Sequence, residues 1–202
     1  MKIVNEKLGN IILYFSIFLF VILFCFSTWV FYLYKNIQDL TDKNLYMENQ
    51  LSCVPKKYEL FPREIYFEIT NLCKEKKLDK DLVFSILLVE NPTFNYFALN
   101  INENGTIDKG LFQLNDKYLY CKNGFIELFY DDSNVEFNAM NFKHNAKIAV
   151  AYINDLYLYF KDIDKTIMAY NCGLKRTAEN KIPKTTKKYL TKCKGYYKML
   201  KR

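Results

Sequence analysis

Two short stretches of this chain carry side chains that could do chemistry. In SILLVEN, residues 85–91, Glu90 follows Ile86 by four positions and Leu82 by eight. On a helix it therefore continues the apolar stripe instead of facing water. An ionised carboxylate is costly to bury in such a place. Desolvation raises its pKa until part of the acid stays protonated near neutrality, which suits a general acid that must protonate a leaving oxygen. The competing reading from periodicity is a structural Glu90, paired with a lysine or capping a neighbouring segment. The second stretch is GTIDKGLFQLN, residues 105–115, where Asp108 and Gln113 stand among two glycines and the apolar Leu111, Phe112 and Leu114. It packs an acid, a turn and an amide together and reads neither as a helix face nor as a clean alternating strand.

These residues need elements to hold them. Pro62 can open a helix whose Ile65, Ile69, Leu72 and Cys73 share one face. A second helix starts near Asp79, a good N-cap, and carries Leu82, Val83, Ile86, Leu87 and Glu90 until Asn91-Pro92 ends it. A third, over about 145–160, buries Ile148, Ala149, Tyr152, Ile153 and Leu156, and a short fourth covers 164–170. A fifth spans 184–200.

Ahead of this domain, residues 11–34 form an uncharged run of about 36 Å as a helix, enough for a bilayer core of about 30 Å. Its length, and the lack of a small-residue cleavage site after it, favour a signal anchor over a cleaved signal peptide. Lys2 and Lys7 before it balance Lys35 and Lys43 after it, so charge does not orient the span. Ile37, Leu40, Asn44, Met47 and Leu51 alternate by three and four, a candidate short coiled coil for weak homodimerisation through 37–51.

Several chemistries find no support. The single histidine, His144, sits at a helix start and reads as a surface or capping residue. The six cysteines show no paired ligand spacing, so no metal site is expected, nor is any cofactor. In an oxidising compartment Cys53, Cys73, Cys121, Cys172 and Cys193 could form one or two disulfides with a thiol left over, and the sequence does not assign them. The net charge of +7 arises from residues 174–202, which hold eleven Lys or Arg against Glu179 alone. Without a reading motif this does not indicate nucleic acid; a solvated helix face, or attraction to anionic wall or lipid, explains it better.

Residues 90–115 resemble the catalytic segment of the lysozyme superfamily, especially the soluble-lytic-transglycosylase type, through Glu90, Phe94-Asn95 and Gly110-Leu111-Phe112-Gln113. The resemblance continues in family order through Asn145, Tyr152 and Ile153, through AYNCG at 169–173, and through Pro183, Thr186 and Tyr189. Asn91 stands where the family usually has Ser, Phe112 where Met is common and Cys172 where Ala is. The segment NENGTID resembles that of specialised transglycosylases of secretion and invasion systems. It also resembles a segment of c-type lysozymes whose second catalytic carboxylate matches Asp108.

The resemblance implies a mainly α, lysozyme-like (α+β) domain: helices with a small β-hairpin lobe beside the catalytic cleft, preceded by one transmembrane helix. The expected organisation is a cytoplasmic 1–10, an anchor at 11–34, a linker at 35–57 and the catalytic domain at 58–202. Asn104-Gly105 would turn the hairpin, Gly110 would let backbone approach a ligand, and Asp108 would face Glu90 across the cleft. The implied function is a peptidoglycan lytic transglycosylase that cleaves the β-1,4 bond between N-acetylmuramic acid and N-acetylglucosamine and leaves 1,6-anhydro ends. Its expected setting is the bacterial cytoplasmic membrane with the domain in the periplasm. Its implied role is wall remodelling or assembly of a secretion or motility machine. Glu90 is the implied catalytic residue and Asp108 a candidate second carboxylate. Gln113, Phe112, Tyr170, Asn171 and Asn145 are the candidate substrate contacts; for Phe112 core packing is the equal alternative, and Tyr170 is also a candidate to orient Glu90 or a satisfied core tyrosine. A muramidase of the same bond and a catalytically silent glycan-binding envelope protein are the alternatives.

Overall fold

The structure, a computed structural model, describes residues 25–41, 54–130 and 135–202. The chain divides into two compact units, Met1–Cys53 and Val54–Arg202. In the first, residues 25–41 are helical (α1). The greater part of the expected span, 11–24, and of the expected coiled coil, 42–51, lies outside the described residues. Among the described residues no helix is long and apolar enough to cross a membrane.

The second unit opens with a 3-10 turn, Lys56–Tyr58, followed by α2 (Arg63–Lys76) and α3 (Lys80–Glu90). Three short strands follow: β1 (Leu99–Ile101), β2 (Ile107–Lys109) and β3 (Leu114–Asn115). The rest is helical: α4 (Asp116–Leu119), α5 (Phe125–Phe129), α6 (Phe142–Phe160), α7 (Ile163–Cys172), α8 (Leu174–Ala178) and α9 (Lys184–Leu200). The domain is thus mainly helical with a small antiparallel sheet of order β1-β2-β3, one strand more than the expected hairpin.

The α3 helix is the axis of the core. Every residue from Asp81 to Leu88 is buried, and α2 and α9 pack directly on it. A helix apolar nearly all round needs neighbours on every side. Layers of α6 against α2 and α7, and of α7 against α9, complete the bundle around Ile65, Ile86, Ile148, Ile153 and Ile167. Asp79 caps α3 by accepting the Asp81 N–H, as its position predicts. The third predicted helix begins three residues earlier than expected, because Asn141 accepts the N–H groups of Lys143 and His144. The short α4, α5 and α8 span only four or five residues and carry no readable period.

Two readings left open by the sequence are decided among the described residues. The described cysteines (Cys25, Cys73, Cys121, Cys172, Cys193) are all free, and Cys73 and Cys193 are buried. Burial pushes both of those thiols up to about 12, so they behave as inert core side chains. His144 is half-buried, its Nδ1 accepting the Asn138 N–H at 3.1 Å while its Nε2 lies 3.2 Å from the Tyr130 hydroxyl. It ties down the segment before α6, the capping alternative of the two expected for it.

Candidate active site

Glu90 is the last residue of α3, so the buried axis of the bundle delivers its carboxyl group to a partly exposed position. A helix C-terminus carries partial negative charge and disfavours an anion. Burial pushes the Glu90 pKa up to about 7, with the Asp108 charge adding to the rise. Against these, the Tyr189 hydroxyl donates a hydrogen bond of 2.6 Å to Glu90 Oε1 and favours the ionised form. A carboxyl group balanced in this way is present in both protonation states near neutrality and can give a proton and take one back.

Directly after Glu90, the side chain of Asn91 organises the loop. Its Oδ1 accepts from Thr93 Oγ1 and from the Asn95 N–H, both at 3.1 Å, and its Nδ2 donates to Asn95 O at 2.7 Å. The amide places its donor and its acceptor on two separate atoms and so reaches three groups of the loop, where a serine would have a single oxygen.

Asp108 lies on β2, with Asn100 opposite on β1 and Asn115 opposite on β3. Asn102 Nδ2 donates to one oxygen at 3.0 Å and Asn115 Nδ2 to the other at 2.7 Å. The carboxylate is held in place by two amides, one on each oxygen.

Gly110 and Gln113 both adopt left-handed backbone, with φ of 75° and 50°. The glycine is needed for space within the chain and not for a ligand: a Cβ there would lie 2.2 Å from Ala139 O and 2.5 Å from Asn145 Nδ2. Gln113 folds back on its own turn, its Nε2 donating to Gly110 O at 2.8 Å and to Ala98 O at 3.3 Å. That commits both amide hydrogens, leaving the carbonyl oxygen as the group it can present.

Two of the candidate substrate contacts are corrected by burial. Phe112 is 0% exposed and packs in the core, so it forms no apolar wall of a cleft. Asn145, also 0% exposed, is a latch between α6 and the sheet. Its Nδ2 donates to Lys109 O and Ala139 O, both at 3.0 Å, and its Oδ1 accepts the Phe112 N–H at 2.8 Å. Asn171 is exposed, and its Oδ1 accepts from the buried Thr186 hydroxyl at 2.8 Å, tying α7 to α9.

Tyr170 donates to Phe112 O at 2.9 Å and so braces the turn that carries Gln113. Orientation of Glu90 falls to Tyr189 instead, a residue whose role the sequence reading missed. A signal existed: Thr186, Tyr189, Cys193 and Leu200 share one face of α9, and a tyrosine on a buried stripe needs a polar partner. Burial raises both phenols well above their ordinary value, so each remains a neutral O–H donor.

The sequence model of the transglycosylase SLT domain matches residues 69–191, a span that includes Glu90, Asp108, Gln113, Asn145, Tyr170, Asn171 and Tyr189. The chain belongs to that family. A solved structure of an inactive mutant of the lytic transglycosylase Slt from Pseudomonas aeruginosa shares the fold, with a TM-score of 0.56 at 16% identity. The match covers 69% of this chain and 24% of that one, so this SLT-domain protein spans about a quarter of that structure's length. No curated protein matches the sequence.

The Tyr189–Glu90 pair makes a checkable prediction. The acid form of Glu90 is the one that starts a proton-donating reaction, so kcat/KM falls as pH rises through about 7. Tyr189→Phe removes the bond that favours the ionised form, so the Glu90 pKa climbs. The basic limb of the pH–rate profile then moves up by about one unit, with about a tenfold loss at the optimum. An unmoved limb in a folded variant would mean that Tyr189 does not set this pKa.

Proposed function

We propose that this SLT-domain chain is a peptidoglycan lytic transglycosylase with one essential carboxylate, Glu90. It cleaves the β-1,4 bond between N-acetylmuramic acid and N-acetylglucosamine. The observation that carries the reading is the placing of Glu90 at the end of the core helix, its Oε1 accepting the Tyr189 hydroxyl at 2.6 Å, where burial raises its pKa to about 7. The protonated carboxyl gives its proton to the glycosidic oxygen as that oxygen leaves C1. The substrate's acetamido oxygen bonds to C1 in its place. Glu90, now a carboxylate, takes the proton of the C6 hydroxyl, and O6 displaces the acetamido oxygen from C1. The product is a 1,6-anhydro end, Glu90 is protonated again, and no water is consumed. Gln113 Oε1 and the Asn171 amide are the groups offered to sugar hydroxyl or acetamido groups; Tyr170 and Asn145 act through the turn they brace.

Asp108 sharpens the choice between this reaction and hydrolysis. Both its oxygens are fixed by asparagine amides, and the single-carboxylate reaction asks no proton or bond of it. Asp108→Asn is therefore expected to lower the rate on peptidoglycan by less than tenfold. A loss of a hundredfold or more with the fold intact would instead promote Asp108 to a second catalytic carboxylate and the enzyme to a muramidase.

The uncharged run 11–34 supports a single-pass anchor in the cytoplasmic membrane, and the substrate's location supports a periplasmic domain. In this setting the enzyme serves wall remodelling or the assembly of an envelope-spanning machine. Protease added to spheroplasts should then remove the domain; complete protection would place it on the cytoplasmic side.

A further inference from the structure

The two ends of α3 do different things. Glu90 closes one end; the other, about 15 Å away at Lys80, is where the segment beginning at Val54 packs. Lys57 Nζ donates to Leu200 O, and the Tyr58 hydroxyl bonds to Asp81. Lys201 Nζ lies 2.9 Å from Asp79 and 3.1 Å from Asp81, and the Tyr197 hydroxyl donates to Asp79 at 2.6 Å. The segment following Val54, the start of α3 and the end of α9 are thereby clamped into one pole. The three-residue connection between α2 and α3 brings the end of α2 to the same pole.

That pole is strongly basic. The end of α2 contributes the exposed Lys74, Lys76 and Lys77, and the end of α9 contributes the exposed Lys198 and Arg202. Lys56 joins them from the 3-10 turn, and the apolar Met199, 43% exposed, lies among them. Of the nearby acids, Asp79 and Asp81 share the single ammonium of Lys201 and accept from uncharged tyrosine hydroxyls, so one net negative charge remains there beside Glu59 and Glu75, fewer than the cations of the cluster. Cations at helix C-termini complement the helix dipole, which accounts for one or two per helix. It does not account for two helix ends and the joining segment presenting their charge on one pole. An anionic lipid surface attracts such a cluster within about a Debye length.

We propose that this pole docks on the anionic phospholipid headgroups of the membrane to which the chain is tethered, turning Glu90 away from the bilayer. The proposal rests on the reading of 11–34 as a membrane anchor. It makes the clamp an orienting device: an active site at the far end of α3 points toward the wall rather than along the lipid surface.

The test is lysine labelling of the full chain reconstituted into phosphatidylcholine vesicles with and without about one-third phosphatidylglycerol. Acetylation of Lys74, Lys76, Lys77 and Lys198 should slow about fivefold in the anionic vesicles and recover in high salt. Lys184, Lys187 and Lys188, at the Glu90 end of α9, should be unchanged. Incorporation into both vesicle types with equal labelling of the two groups would overturn the docking and leave the anchor standing. Failure to co-float with neutral vesicles would overturn the anchor, and the docking with it. Protection of the same lysines by a soluble polyanion but not by anionic lipid would also overturn the proposal.

Discussion

Glu90→Gln is expected to lower turnover of peptidoglycan by a thousandfold or more while leaving the fold intact. Glutamine matches the shape of the carboxyl group and can still accept the Tyr189 hydroxyl, but it has no proton to give and cannot take one. General acid–base catalysis is worth about two to four orders of magnitude, and in this mechanism the same residue serves both half-reactions. The substitution should also stabilise the protein. Glu90 has a folded-state pKa near 7, raised above its ordinary value, so the folded form holds a proton that the unfolded chain has released. Stability from that proton is fully present below about pH 4.5 and is lost as pH rises through about 7. Above neutrality the wild type carries the burial penalty and Glu90→Gln does not. The variant should therefore gain about 1–3 kcal/mol at pH 8 and little at pH 4, readable in urea melts at the two pH values. Equal stability at both would mean that Glu90 is not held in a desolvated site.

Asn145→Ala is expected to cost about 3–5 kcal/mol, among the larger single effects available in this domain. The side chain is fully buried and makes three hydrogen bonds, to Lys109 O, Ala139 O and the Phe112 N–H. Removing it strands all three backbone groups in the core and frees the turn on which Gln113 sits. Gly110→Ala acts at the same contact from the other side, by steric overlap with Ala139 O and Asn145. For Asn145→Ala, thermal and urea melts should show the loss. Activity at temperatures where the variant remains folded should fall less than for Glu90→Gln. A change under 1 kcal/mol would show that the latch is not a principal support of the turn.

What could be read from the sequence follows from what leaves a local pattern. The stripe of Leu82, Ile86 and Glu90 has a period, and Asp79 and Asn91-Pro92 mark its ends, so the helix bearing the acid was predictable to the residue. The turn at Asn104-Gly105 likewise has a local cause, with Gly105 at φ 79°. The partner of Glu90 lies 99 residues away on α9, and nothing near Glu90 in the sequence points to it. Asn145 was misassigned, and of the two readings of Phe112 the core one holds, because residue type suggests a role but not an orientation. An asparagine that bonds three backbone groups looks, in sequence, like one that binds a sugar. The hydroxyl of Tyr170, by contrast with the expectation that it orients the acid, is spent on Phe112 O. No sequence period marks helices of four or five residues such as α4, α5 and α8. The sequence left disulfides open; the described cysteines are free, with Cys73 and Cys193 drawn into the core as small hydrophobic side chains.

One measurement bears on the central claim more directly than any other. The full chain would be incubated with intact peptidoglycan beside Glu90→Gln, and the released muropeptides identified by mass spectrometry. The account predicts 1,6-anhydromuramyl ends from the wild type and none from the variant. Reducing ends in place of anhydro ends would contradict the single-carboxylate mechanism and make the protein a hydrolase. No product from a folded wild type would contradict the enzyme reading altogether and leave a domain that binds glycan without cutting it.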